Sequence, residues 1–134
     1  RVPKISIVVG GSYGAGNYAM CGRGLDPRFI FAWPNPKVAV MGGQQAGMVL
    51  RIVAEAKQRA NGIEPDEKVL DMLQQTTAQK LDSQSTALYG TARLWDDGII
   101  DPRDTRRVVA YALDICADAE HRELHPNAFG VARL

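Results

Sequence analysis

Residues 10–20, "GGSYGAGNYAM", follow a β-branched run (Ile5, Ile7, Val8, Val9) and contain Gly14-Ala15-Gly16-Asn17-Tyr18-Ala19, a G-x-G-x-x-A pattern. A strand that enters a glycine turn and leaves as a helix is a building unit of α/β folds. The dinucleotide form of that unit needs its first glycine directly at the strand end and an acidic residue about 20 positions later for the ribose. Here "GGSY" separates Val9 from Gly14, and residues 33–41 hold no Asp or Glu. A phosphate-binding P-loop is excluded because Asn17-Tyr18, not Lys and a hydroxyl residue, follow Gly16. What survives is more general. Small residues at a helix start let a ligand approach amides that carry partial positive charge, which is the hardware of an oxyanion hole. Ala15 and Gly16 fit that role, with Gly14 in the turn and Tyr13 and Tyr18 flanking it as candidate walls. Buried packing is the more economical reading of either tyrosine alone.

Working outward, residues 5–9 read as a strand, 10–16 as the turn and 17–23 as a short helix. Three prolines in "LDPRFIFAWPNPKVAVMGG" predict an extended connection that becomes a strand only at 38–41 and ends in a second glycine turn, Gly42-Gly43. That turn repeats the first and is a second candidate ligand contact, although close chain packing explains it slightly better. A helix over 44–60 is expected to bury Ala46, Val49, Leu50, Val53 and Ala54 on one face. After "NGIEP", Pro65 opens another helix whose Val69, Leu70, Leu73 and Leu81 share a side, with a polar second half. Asp97-Gly98 reads as a turn, and Asp101 as the N-cap of a helix starting at Pro102 with Val108, Val109, Ala112, Leu113 and Cys116 on its apolar face.

The 134-residue chain is 46% hydrophobic and carries a formal net charge of +1. That composition suits one soluble core and points to neither a nucleic-acid nor a membrane-surface partner. Cys21 and Cys116 form no C-x-x-C pair and have no histidine cluster nearby, so both read as reduced and buried, and no metal site is expected. The opening "RVPKISIVVGG" reads as a strand, not a signal peptide, because its apolar run is short and ends in a turn. One short strand followed mainly by helices leaves backbone groups unpaired, so the expectation is a portion of a larger domain with the missing strands upstream. Asp96 and Asp97 serve turn and cap roles better than catalysis. His121 and His125 read as solvated, Arg23 and Arg28 as surface residues ahead of phosphate contacts, and Trp33 as an anchor in a rigid connection. No nucleophile–base pair or carboxylate dyad is present.

Residues 10–50, "GGSYGAGNYAMCGRGLDPRFIFAWPNPKVAVMGGQQAGMVL", together with "ARLWDDGIIDPRDTR" (92–106) and the closing "NAFGVARL" (127–134), resemble the carboxyltransferase (β) subunits of biotin-dependent acyl-CoA carboxylases. Within that family the resemblance is nearest to the 3-methylcrotonyl-CoA carboxylases. It implies an α/β, crotonase-like (ClpP/crotonase) fold, with residues 1–134 forming the C-terminal part of the carboxyltransferase C-domain and the N-domain lying outside the chain. It implies further that the amides of Ala15 and Gly16 are oxyanion donors to the biotin carbonyl, beside substrate contacts from Tyr13, Gly14, Tyr18, Gly42 and Gly43. The reaction passes a carboxyl group from carboxybiotin to a carbanion of the acyl-CoA, with the biotin nitrogen taking the substrate proton, so no side-chain base is needed. Biotin belongs to a partner α subunit, because the Met-Lys-Met attachment sequence is absent here, and ATP is used only by the partner biotin carboxylase. A β homohexamer within an α–β complex is implied, acting in leucine degradation, in the cytoplasm of a bacterium or the mitochondrial matrix of a eukaryote, with the fragment alone inactive. Alternatives are an assembly module without catalysis, a crotonase-type hydratase or isomerase, and a carboxylase for geranyl-CoA or another branched acyl-CoA.

Overall fold

The hydrogen bonds of the first strand go to a segment that the prolines had marked as a connection. In the computed structural model, which describes residues 2–122, β1 (Ile5–Val8) pairs in parallel with β3 (Phe29–Ala32), from Ile5↔Phe29 to Val8↔Ala32. Pro27, Pro34 and Pro36 bracket "FIFA" without entering it, so four residues keep their ladder donors. Period-two alternation then buries Ile30 and Ala32 on one face and stacks Phe29 on Phe31 at 5.9 Å on the other. The second edge of β3 is satisfied by the turn after Trp95, through Ala32 to Gly98 and Ile100 to Ala32 backbone bonds and a parallel bridge between Ala32 and Ile99. The expected single strand is thus one of a three-segment layer.

A second correction concerns residues 10–16, which are not one turn. Gly11–Tyr13 form β2, paired in parallel with β4 (Lys37–Ala39) from Gly11↔Lys37 to Tyr13↔Ala39. Gly14 then takes a left-handed φ of 52° and starts α1 (Gly14–Ala19), so the helix begins and ends earlier than the expected 17–23. The other edge of β4 meets residues 85 and 86, through Val38 N–H to the Ser85 carbonyl and an antiparallel bridge between Lys37 and Thr86.

The helices α2 (Gly43–Ala60) and α3 (Glu67–Gln84) pack lengthwise. Of the expected apolar face of α2, Ala46 is buried, but the larger residues are not. Gly43, Ala46 and Gly47 are buried, whereas Val49, Leu50 and Val53 are 49%, 45% and 57% exposed. Close approach is the reason: a Cβ on Gly43 would lie 2.6 Å from the Ala78 carbonyl, and one on Gly47 2.5 Å from that of Gln74. Arg51 continues the same row with ion pairs to Asp71 and Glu67. In α3, Leu70 is buried as expected and Val69 is exposed. The helix starts after Pro65, with Asp66 capping it by accepting from the amides of Lys68 and Val69.

A short helix, α4 (Ala87–Thr91), is capped by Thr86. Asp101 caps as expected, although what it caps is the 3₁₀ turn Pro102–Asp104 that leads into α5 (Thr105–Glu120). Ala112 and Cys116 of α5 are buried, and Leu113 is exposed against expectation. Trp33 does anchor its connection, donating from Nε1 to Thr105 Oγ1 at 3.0 Å. Both cysteines are free, with Cys116 buried and Cys21 only half-buried. His125 and residues 127–134 lie outside the described residues. Among the described residues no helix is long and apolar enough to cross a membrane.

Candidate functional site

Parallel pairing of β2 with β4 brings the two glycine turns together. Tyr13 and Ala39 are register partners, α1 starts directly after Tyr13, and α2 starts at Gly43, so both helices begin at the same carboxyl edge of the strand pair. Ligands of α/β folds bind at such an edge. A cleft of about 540 Å³ opens there, lined by Tyr13, Gly14, Val40, Met41, Gly42 and Gly43, with Asp82 also on its wall. Behind α1 lies a second, mainly apolar cavity of about 220 Å³, whose walls include Tyr18, Ile30, Val38 and Trp95, with Asn17, Arg23, Thr86 and Asp96 as polar members. Gly14 and Val40 border both spaces.

The expected site residues are therefore partly gathered and partly split. Tyr13, Gly14, Gly42 and Gly43 share the open cleft, and Tyr18 belongs to the inner cavity. Tyr13 is 37% and Tyr18 58% exposed, which corrects the reading of either as buried packing. Tyr18 instead lays its ring against Gly24, where a Cβ would come within 2.5 Å of it. Gly43 has a packing role against Ala78 and Asp82, while a Cβ on Gly42 would meet only the end of the Gln45 side chain.

Ala15 and Gly16 are exposed and line neither space; they occupy the first turn of α1. Amides of a first helical turn have no carbonyl partner within the helix, and Tyr13 at the N-cap supplies no side-chain acceptor. A Cβ on Gly16 would meet no atom within 4 Å among the described residues, and its φ lies outside the left-handed region. The amides thus sit at an uncapped, uncrowded helix start, where they can donate to an oxygen arriving from outside.

Sequence reasoning missed the residues that hold this start in place. Asn17 donates from Nδ2 to Ser12 Oγ at 2.9 Å, tying α1 to β2. Arg23 stacks its guanidinium 4.4 Å from the Trp95 ring centre. Asp96 and Asp97 do serve the loop, as expected. Asp96 accepts from Thr91 Oγ1 at 2.6 Å, and Asp97 exchanges bonds with Ile30 through its amide and its carboxylate. Only a fold that pairs residue 97 with residue 30 reveals the last contact. The shifted titrating groups lie away from both spaces. The Arg103 guanidinium, with the Arg103 amide, holds the Asp101 carboxyl below its usual range, and Asp101 raises Arg103; hydrogen bonding to Asp71, with Glu67 nearby, raises Arg51.

A protein-family model described as the carboxyl transferase domain matches residues 1–131. The biotin-dependent 3-methylcrotonyl-coenzyme A carboxylase beta1 subunit of Mycobacterium tuberculosis is 48% identical over 136 residues, a match covering 100% of this chain and 25% of the relative. The crystal structure of the beta subunit of geranyl-CoA carboxylase from P. aeruginosa superposes with a TM-score of 0.84 at 71% identity, covering 100% of this chain and 25% of that one. The crystal structure of transcarboxylase 12S, a hexamer assembly with hydrolyzed methylmalonyl-coenzyme A bound, superposes with a TM-score of 0.68 at 31% identity over 98% of this chain and 23% of that one. The chain spans about a quarter of the length of the relatives it matches.

Proposed function

Because the chain belongs to the carboxyl transferase domain family, with an α/β, crotonase-like fold, we propose that it supplies the part of a carboxyltransferase site at which the amides of Ala15 and Gly16 stabilise a developing oxyanion. Gly16 carries this reading. A glycine inside a helix costs about 1 kcal/mol relative to alanine. Neither its φ nor any neighbour among the described residues demands one at this position. Its smallness therefore serves the approach of a group from outside the chain. Biotin, brought by a partner subunit that uses ATP to load it, supplies the transferable carboxyl group when bound, and its ureido oxygen is of the size and charge such a donor pair accepts. Ala15 and Gly16 hold that oxygen, and donors fixed in a helix need no reorganisation as charge grows on it. Gly14 makes the turn from which the donors' helix starts, at the edge of the cleft, and Tyr13, Gly42 and Gly43 shape the cleft for the acyl-CoA.

The substrate we infer is a 3-methyl-branched 2-enoyl-CoA, the class to which both named carboxylase relatives point. The 71% identity to the geranyl-CoA enzyme, against 48% to the 3-methylcrotonyl-CoA one, favours the longer chain over the C5 thioester of leucine degradation. The acting assembly is a β hexamer joined to biotin-bearing α subunits, in the bacterial cytoplasm or the mitochondrial matrix, with the rest of the site on parts of the protein outside these 134 residues.

The test is Gly16→Val in the full-length protein with its biotin-bearing partner. Carboxyl transfer is expected to fall by about 10²-fold or more, as for loss of an oxyanion donor, with hexamer assembly intact by size-exclusion chromatography. Unchanged transfer would sink the assignment. Comparing kcat/KM for geranyl-CoA and 3-methylcrotonyl-CoA on the unmodified enzyme decides the acyl chain.

A further inference from the structure

α1 has six residues, none of them buried, and a helix this short has no stability of its own. Its direction must come from contacts at its ends. At the start, Gly14 lies against the Val40 carbonyl and Asn17 bonds Ser12. Beyond its end, Gly22 N–H donates to the Asn17 carbonyl at 2.8 Å, and Ser6 Oγ donates to the Cys21 carbonyl at 2.8 Å. These partners all belong to the same N-terminal segment as α1. The stack of Arg23 on Trp95 reaches the other half of the chain.

Trp95 is a rigid partner for it. Its amide donates to the Gly90 carbonyl at 3.0 Å, Tyr89 meets its ring edge-to-face at 5.7 Å, and its ring lies over Gly90, where a Cβ would be in contact with it at 3.4 Å. Two residues on, Asp97 fastens the loop to Ile30 of β3. The anchor is thus tied into the buried strand layer.

We propose that Arg23 and Trp95 are positioning residues whose stacked pair fixes the segment after α1, and through it the orientation of the Ala15 and Gly16 amides. The inference rests on the oxyanion reading above. A guanidinium over an indole face is the strongest common form of cation–π contact, and a small misplacement of a donor is costly in rate because the reacting geometry is narrow.

The experiment uses the full-length protein with its biotin-bearing partner and the variants Arg23→Lys, Arg23→Gln, Trp95→Phe and Trp95→Leu. Arg23→Gln and Trp95→Leu are expected to lower kcat about 10-fold while KM for the acyl-CoA stays within about twofold, and the conservative Arg23→Lys and Trp95→Phe to stay within about threefold of the parent. Because the two residues act as one unit, the Arg23→Gln/Trp95→Leu double variant should be no slower than either single. Should Gln or Leu prevent hexamer formation, Arg23→Met and Trp95→Met take their place with the same expected loss of kcat, about 10-fold: an intact hexamer with full kcat in both then overturns the proposal. Wild-type kcat in all variants alongside an inactive Gly16→Val enzyme overturns the latch and leaves the oxyanion reading standing. A rise in KM matching the loss of kcat/KM would put Arg23 on the acyl-CoA itself and also overturn it. Full activity of Gly16→Val removes the oxyanion reading and the latch with it.

Discussion

Gly14 and Gly16 stand two positions apart and are glycine for different physical reasons. Gly14 has a left-handed φ, and its missing Cβ would lie 3.0 Å from the Val40 carbonyl. Replacing it with alanine should destabilise the protein by about 1–2 kcal/mol, the cost of an L-residue in that region, seen as a lower denaturation midpoint. Gly16→Ala has open space and an ordinary φ. It should leave stability unchanged or raise it by up to about 1 kcal/mol while slowing carboxyl transfer. Equal effects of the two substitutions on stability would contradict the distinction. Asp101 offers a pH test. Because Arg103 holds its carboxyl below the usual range, the stabilisation is complete above the unfolded-state value of an aspartate and lost as pH falls through the lower folded-state value. Wild type and Asp101→Asn should therefore differ in melting temperature near neutrality and converge in strong acid. A difference that stays constant with pH would count against the pair. The N-cap role of Asp101 was open to reading beforehand, because a cap is a contact between residues two or three apart. The partners of Asn17, Arg23 and Asp97 were not, since they depend on where the chain returns.

Among the helices, the α2–α3 pair shows how a correct periodicity leads to the wrong face. Three-and-four spacing establishes that α2 is helical, and it is, over Gly43–Ala60. It cannot say which stripe meets a neighbour. Here the small stripe wins, because Gly43 and Gly47 let the backbones of α2 and α3 approach more closely than any Cβ allows. Gly47→Ala should accordingly cost about 1–3 kcal/mol, the usual penalty for overpacking, although alanine is the better helix former. An urea titration in which Gly47→Ala matches the parent would show that the helices separate freely. The missed strand β3 has a related cause. Three prolines argue against a strand when counted across the segment, and they permit one when their positions are seen to flank residues 29–32.

Taken together, the buried set is modest for a chain of 46% hydrophobic residues. It is mainly alanine, with Ile30, Leu70 and Cys116, and Leu70 is the largest fully buried side chain among the described residues. Met48, Val49, Ile52 and Val53 of α2 and Tyr111, Leu113 and Ile115 of α5 are exposed. Apolar groups this numerous on a surface favour association. The 134-residue chain by itself should therefore self-associate with rising concentration in sedimentation velocity, and Val49→Lys with Ile52→Lys should reduce that association. A monodisperse monomer insensitive to those changes would show that the exposed residues are too scattered to act as a patch.

Local chemistry was legible from the chain alone: the second glycine turn, the Asp101 cap, the helical periods and the family resemblance that the comparisons bear out. All of these depend on residues near one another in sequence, where covalent geometry and short-range hydrogen bonding set the outcome. Tertiary structure decided the rest. It placed the two glycine turns at one strand edge, chose the small stripe of α2 over the large one, and put Trp95 beneath Arg23. Each depends on parallel pairing or close helix approach between distant segments, and those are set by the packing of the whole chain.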